Sequence, residues 1–129
     1  MNIGSPNSLM RRITELPEPD EPKTSYNVRT QTPWGLADSA TYYGTGIVQY
    51  TTPSHGGFHV SAGLLASIPE YLQTADAYAD GTRGWYKEDC AWSIVVLCFP
   101  ERFSGSVRQD AVVIMRKVYP KQFERLCTD

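Results

Sequence analysis

The sequence predicts an α+β domain: a small antiparallel sheet of three to five strands in the N-terminal half, packed against two or three C-terminal helices. Three observations predict it. Residues 26–60 are rich in Tyr, Thr, Ile and Val and alternate with the period of a strand. The C-terminal part carries apolar residues at helical spacing. Strands come first and helices last, without the strand–helix–strand alternation that builds a parallel sheet. With 129 residues, 41% of them apolar and 20% charged, the chain has the size and balance of one globular domain.

Residues 1–24 read as a flexible tail rich in Pro and acids, and residues 25–129 as the folded domain. Leu16-Pro-Glu-Pro-Asp-Glu-Pro22 lacks an apolar period and buries too little to offset the entropy of ordering. A pinned extended arm is one alternative. A short helix is another, with Leu9, Met10 and Ile13 beside Arg11 and Arg12.

Tyr26, Val28 and Thr30 alternate as a first strand, and Thr32-Pro33-Trp34-Gly35 reads as a turn. Ser39–Tyr43 and Gly46–Thr51 are two further strands, joined by a tight hairpin at Gly44-Thr45. Phe58-His59-Val60 is a fourth. Ser61 suits the N-cap of a short helix through Ala62, Leu64 and Leu65, and Pro69 opens one more helical turn. Thr74–Gly84 reads as a loop. Trp92, Val95, Val96 and Phe99 form one helical face, which predicts a helix over 88–98 that stops before Pro100; Ile94-Val-Val keeps a strand as the alternative. Val107, Ala111, Ile114, Met115 and Val118 mark a clearer helix, with Ser106 and Gln109 as a capping box. After Pro120, Phe123 and Leu126 are placed to pack back on the core.

A net charge of −2 argues against a general binder of nucleic-acid backbone, which needs a basic surface. Cys90, Cys98 and Cys127 show neither a disulfide framework nor a Cys-x-x-Cys spacing, so reduced thiols in the cytoplasm are expected. The longest apolar run, Ile94–Phe99, is too short to span a bilayer, and Met1–Ser8 lacks the apolar segment of a secretory signal, so none is expected there.

Thr52-Pro-Ser-His-Gly-Gly-Phe58 is the leading candidate site. His55 carries an imidazole and would serve as a base or a ligand, while Gly56 and Gly57 would admit a close approach or form an anion-binding nest with their N–H groups. The bland alternative is a turn whose Ser54 and His55 bond their own backbone. His59 should point away from Phe58 and Val60, toward solvent. Cys90, at the expected start of a helix, is a candidate nucleophile, but both histidines precede it and Glu88 and Asp89 beside it would disfavour the thiolate. Glu88 is the better acid/base partner for His55, Asp89 the better cap. Trp85-Tyr86, after Gly84, looks like an exposed anchor. Trp34, Tyr42, Tyr43, Tyr50, Tyr71 and Tyr78 add to a large aromatic complement. No P-loop, dinucleotide fingerprint, nucleophile elbow or calcium loop is present.

Trp34-Gly-x-Ala37-Asp38-Ser39, Gly46-Ile-Val, Thr52-Pro-Ser-His-Gly-Gly-Phe58, Gly84-Trp-Tyr-x-Glu-Asp89 and Phe99-Pro100 resemble an uncharacterised bacterial domain family of the DUF7007 type, over roughly residues 33–126. The resemblance implies a setting in phages, plasmids and integrated elements. It implies no activity. The expected function is a mobile-element accessory protein that binds and interferes with a host complex, plausibly one of defence or nucleic-acid processing. Ser54, His55, Gly56, Gly57, Trp85 and Tyr86 would form its binding surface. The alternative is a small hydrolase or transferase in which His55 works with Glu88, Asp89 or Cys90. No cofactor or metal is expected. The expected partner is a host or phage protein, not a membrane, and homodimerisation is left open.

Overall fold

The computed structural model describes residues 6–19, 23–73 and 84–128. Five strands form one antiparallel meander in the order β1-β2-β3-β4-β5: Ser25–Thr32, Gly35–Tyr42, Ile47–Thr51, Gly56–Val60 and Trp85–Lys87. Around them lie α1 (Pro6–Glu15), α2 (Ala62–Leu65), α3 (Glu70–Gln73), α4 (Trp92–Cys98), α5 (Gly105–Val118) and α6 (Pro120–Thr128). The α+β architecture is the expected one, with the full five strands.

The turns follow from local chemistry. Thr32 accepts from Trp34 N–H at 3.2 Å and donates to the Gly35 carbonyl at 2.7 Å, closing the first hairpin. Gly44 and Gly46, at φ +80° and +88°, supply the left-handed conformations the second hairpin needs. Arg102 donates to the Tyr43 and Thr45 carbonyls at 3.0 and 2.6 Å, tying that hairpin to the helical layer.

Strand alternation sorts the side chains. Ile47, Phe58, Val60 and Tyr86 face the helices and join the core. There α4 is enclosed on all sides from Ser93 to Leu97, as expected of a helix apolar around its whole circumference. It packs between the inner face of β4–β5 and α5. The buried Ser93 hydroxyl donates to the Cys90 carbonyl at 2.7 Å.

Four expectations change. Residues 6–19 are not a free tail: α1 lays Leu9 and Ile13, one turn apart, into the core against α5 and α6. The short-helix alternative is the one that forms, because its apolar residues share one face. The helix expected from residue 88 begins at Trp92, and residues 88–91 form a turn. The cap of α5 is Ser104, which accepts from Val107 N–H at 3.3 Å; Ser106 lies inside the helix, so no capping box with Gln109 forms. Ser61 holds the N-cap position of α2, but its side chain makes no capping bond. The loop expected at 74–84 lies outside the described residues up to 83, and Gly84 takes φ +85° at the entrance of β5.

Candidate functional site

The Thr52–His55 turn is built by Thr52, not by Ser54. The Thr52 hydroxyl donates to the His55 carbonyl at 2.7 Å and accepts from His55 N–H at 2.9 Å, and Thr52 N–H also reaches that carbonyl at 2.7 Å. Thr52 is buried, and Ser54 and His55 are exposed on the turn it closes.

Gly56 and Gly57 form no nest. Neither has a positive φ; both sit in β4 and pair with Thr51 and Tyr50 of β3. Their smallness serves close packing. A Cβ on Gly57 would run into the Tyr86 carbonyl oxygen and come within 2.5 Å of Trp34 Cη2. The Gly56 carbonyl accepts from Glu88 N–H at 2.9 Å, which brings the turn after β5 alongside the His55 turn.

That backbone bond sets the geometry of the candidate pair. His55 Nδ1 lies 4.0 Å from Glu88 Oε1, and the two side chains are 49% and 45% exposed. The structure thus brings together the two residues the sequence favoured as an acid/base pair. The separation is beyond hydrogen-bond range, and water has access to it. Asp89 instead pairs with Lys87 at 3.6 Å and caps no helix. Cys90 precedes Ala91, the cap residue of α4, so it does not open the helix as expected. None of Cys90, Cys98 and Cys127 is in a disulfide. Burial pushes Cys98 up to about 12. Among the described residues, no three His, Cys, Asp or Glu side chains cluster as metal ligands would.

The expected Trp85-Tyr86 anchor divides. Tyr86 faces inward and is 1% exposed, because it pairs with Phe58 across β4 and β5 and joins the core. Trp85 points the other way. On the outer face of the sheet its ring meets Trp34 edge-on at 5.6 Å, Tyr50 at 6.0 Å and His59 at 4.5 Å. His59 does face away from the core, as alternation requires, yet Trp85 half covers it, and burial lowers its pKa. Farther along the same face, Tyr26 and Tyr42 meet edge-on at 5.7 Å while remaining 54% and 44% exposed. Leu36, at the other end of β2 and opposite Gln31 of β1, is exposed as well. The Trp34 indole N–H is enclosed and has no hydrogen-bond partner among the described residues. Sequence reasoning saw these aromatics as a list. The signal that would have grouped them is parity: once the register is known, positions 42, 48, 59 and 85 share one row.

Among the described residues no helix is long and apolar enough to cross a membrane. Comparison with curated proteins and with solved structures found no match. A family model, the domain of unknown function DUF7007, matches residues 27–129, from β1 through α6 and so including both the outer aromatic face and the His55–Glu88 turn pair. By that match the chain belongs to the DUF7007 domain family.

Proposed function

We propose that this protein is a binding module that docks a protein partner on the outer face of its sheet. The observation that carries the reading is the placement of Trp34, Tyr50 and Trp85, with the exposed rings of Tyr26 and Tyr42, on the face opposite the helical core. Large amphipathic rings already packed on one another present contact area at small entropic cost, which is why Trp and Tyr dominate the energetics of protein interfaces. In this reading the protein belongs to a mobile element and its partner is a host complex of defence or nucleic-acid processing. The test is site-directed photocrosslinking in the native host, with the crosslinker at Tyr42 or, as control, at the exposed Val113 of α5. A partner captured from Tyr42 alone, and lost from a Tyr26→Glu variant, supports the reading. Equal capture from both positions refutes it.

The approach of His55 to Glu88 sustains a second reading, a hydrolase or transferase with His55 as base. It requires His55→Ala to abolish function at unchanged thermal stability. The binding reading expects a graded effect from the same substitution.

A further inference from the structure

We propose that a cavity between the sheet and the helical layer is a receptor for a lysine side chain of a partner protein. Its volume is about 260 Å³. The rings of Tyr43, Phe58, Trp92 and Phe103 contribute to its walls, and among the described residues Glu88 and Asp110 are its charged lining. Sites that enclose a cofactor or drug-sized molecule run to roughly 300–1,000 Å³, so this cavity suits a single side chain.

The lining selects the chemistry. Aromatic faces attract cations through their quadrupole. Carboxylates accept N–H hydrogen bonds and repel anions. Rings and acids together favour an apolar stem that ends in an ammonium, which describes lysine: the methylenes lie on apolar surface and the head seeks acceptors. Val107 and Asp110, three residues apart on α5, repeat that division on one helix face. The chain's own Lys23 sets its ammonium 5.7 Å from the centroid of the Tyr43 ring, within cation–π range.

The walls are preorganised. Tyr43 stacks on Phe103 at 4.8 Å and meets Phe58 edge-on at 5.5 Å, and its hydroxyl donates to Gln49 Oε1 at 2.9 Å. Burial raises the Tyr43 pKa, which keeps that hydroxyl a donor. Little ordering entropy remains to be lost on binding. The cavity shares no side chain with the outer aromatic face. Only the source of the lysine, a partner protein, rests on the binding reading.

The test titrates the ¹⁵N-labelled full chain with Nα-acetyl-lysine N-methylamide, at neutral pH and constant ionic strength, and follows the three indole N–H signals. The control ligand is the norleucine analogue, which has the stem without the charge. We expect a saturable shift of Trp92 with Trp34 and Trp85 unmoved, and none with norleucine. A Glu88→Gln/Asp110→Asn double variant, exposed at both positions and checked for unchanged melting, should bind about tenfold more weakly. The proposal is overturned by no saturable shift, by an equal response to norleucine, or by unchanged affinity in the double variant. Tighter binding of tetramethylammonium than of the lysine derivative would also overturn it, because that ion donates no hydrogen bond. Failure of the crosslinking experiment beside a positive titration removes the outer-face reading and leaves the cavity assignment intact.

Discussion

Arg108 carries a charge into the protein at 1% exposure, and its counter-ion comes from a segment expected to be loose. Nη2 donates to the Leu16 carbonyl at 3.0 Å and to Glu18 Oε2 at 3.2 Å; Nη1 reaches the Pro100 carbonyl at 3.4 Å. Nε is enclosed without a partner among the described residues. The same Glu18 oxygen accepts from Gly105 N–H at 2.7 Å, at the first residue of α5, where negative charge is favoured. Glu18→Gln keeps the shape and removes the charge. Removing one partner of a fully buried ion pair costs about 3–5 kcal/mol. Glu18 is 65% exposed, so water screens part of the interaction. Two charge-assisted hydrogen bonds becoming neutral ones cost about 1 kcal/mol each before screening, and the expected loss is about 1–2 kcal/mol. For a domain of this size that lowers Tm by about 4–8 °C. Thermal and urea denaturation read it directly. A double-mutant cycle with Arg108→Met isolates the pair, because the thioether fills the site without a charge; the coupling should exceed about 0.5 kcal/mol. High salt should narrow the gap between wild type and Glu18→Gln. A Tm change below about 1 °C, or a coupling below about 0.3 kcal/mol, would refute the idea that Arg108 pins residues 16–18 to α5.

Other predictions concern packing and pH. Gly57→Ala forces a Cβ against the Tyr86 carbonyl and the Trp34 ring, neither of which is a free chain end, and should cost about 2–3 kcal/mol in urea denaturation while disturbing the Trp34–Trp85 near-UV signal. Gly63→Ala, in α2 with nothing within 4 Å of the new Cβ, is the matched control and should stabilise by about 0.4–1 kcal/mol. Cys98, raised from 9.0 to about 12, favours the folded state fully below pH 9.0; that contribution is lost as pH rises from there toward about 12, where the native thiol also ionises. Cys98→Ser should flatten the alkaline decline in stability, and Cys98 in the native protein should resist alkylation at pH values where the unfolded chain reacts readily.

Much of the fold was legible because side-chain parity and helical stripes are local. The alternation of Tyr26 to Val60 encodes which residues face the helices, and His59 points outward as that alternation requires. The Val107–Met115 stripe encodes α5. The candidate pair His55–Glu88 was also legible in part, since His, Gly and acidic residues stood out against their surroundings. Its looseness and exposure were not, because they depend on the β4–β5 pairing. Trp85–Lys87 is too short to show a strand period, and only its hydrogen bonding to β4 makes it one. That pairing turned Tyr86 from an expected surface anchor into core and left Trp85 outside.

By itself the sequence determined the class of fold, four of the strands, the hairpin at Gly44-Thr45 and the faces of the main helices. Each of these depends on residues within a few positions of one another. Tertiary structure alone decided that α1 docks, that Glu18 reaches Arg108 ninety positions away along the chain, and that Ser104 rather than Ser106 caps α5. It alone assembled the aromatic row across β2–β5 and the acid-lined cavity behind it. Those arrangements depend on which surfaces remain uncovered once the strands have paired, and no local pattern records that.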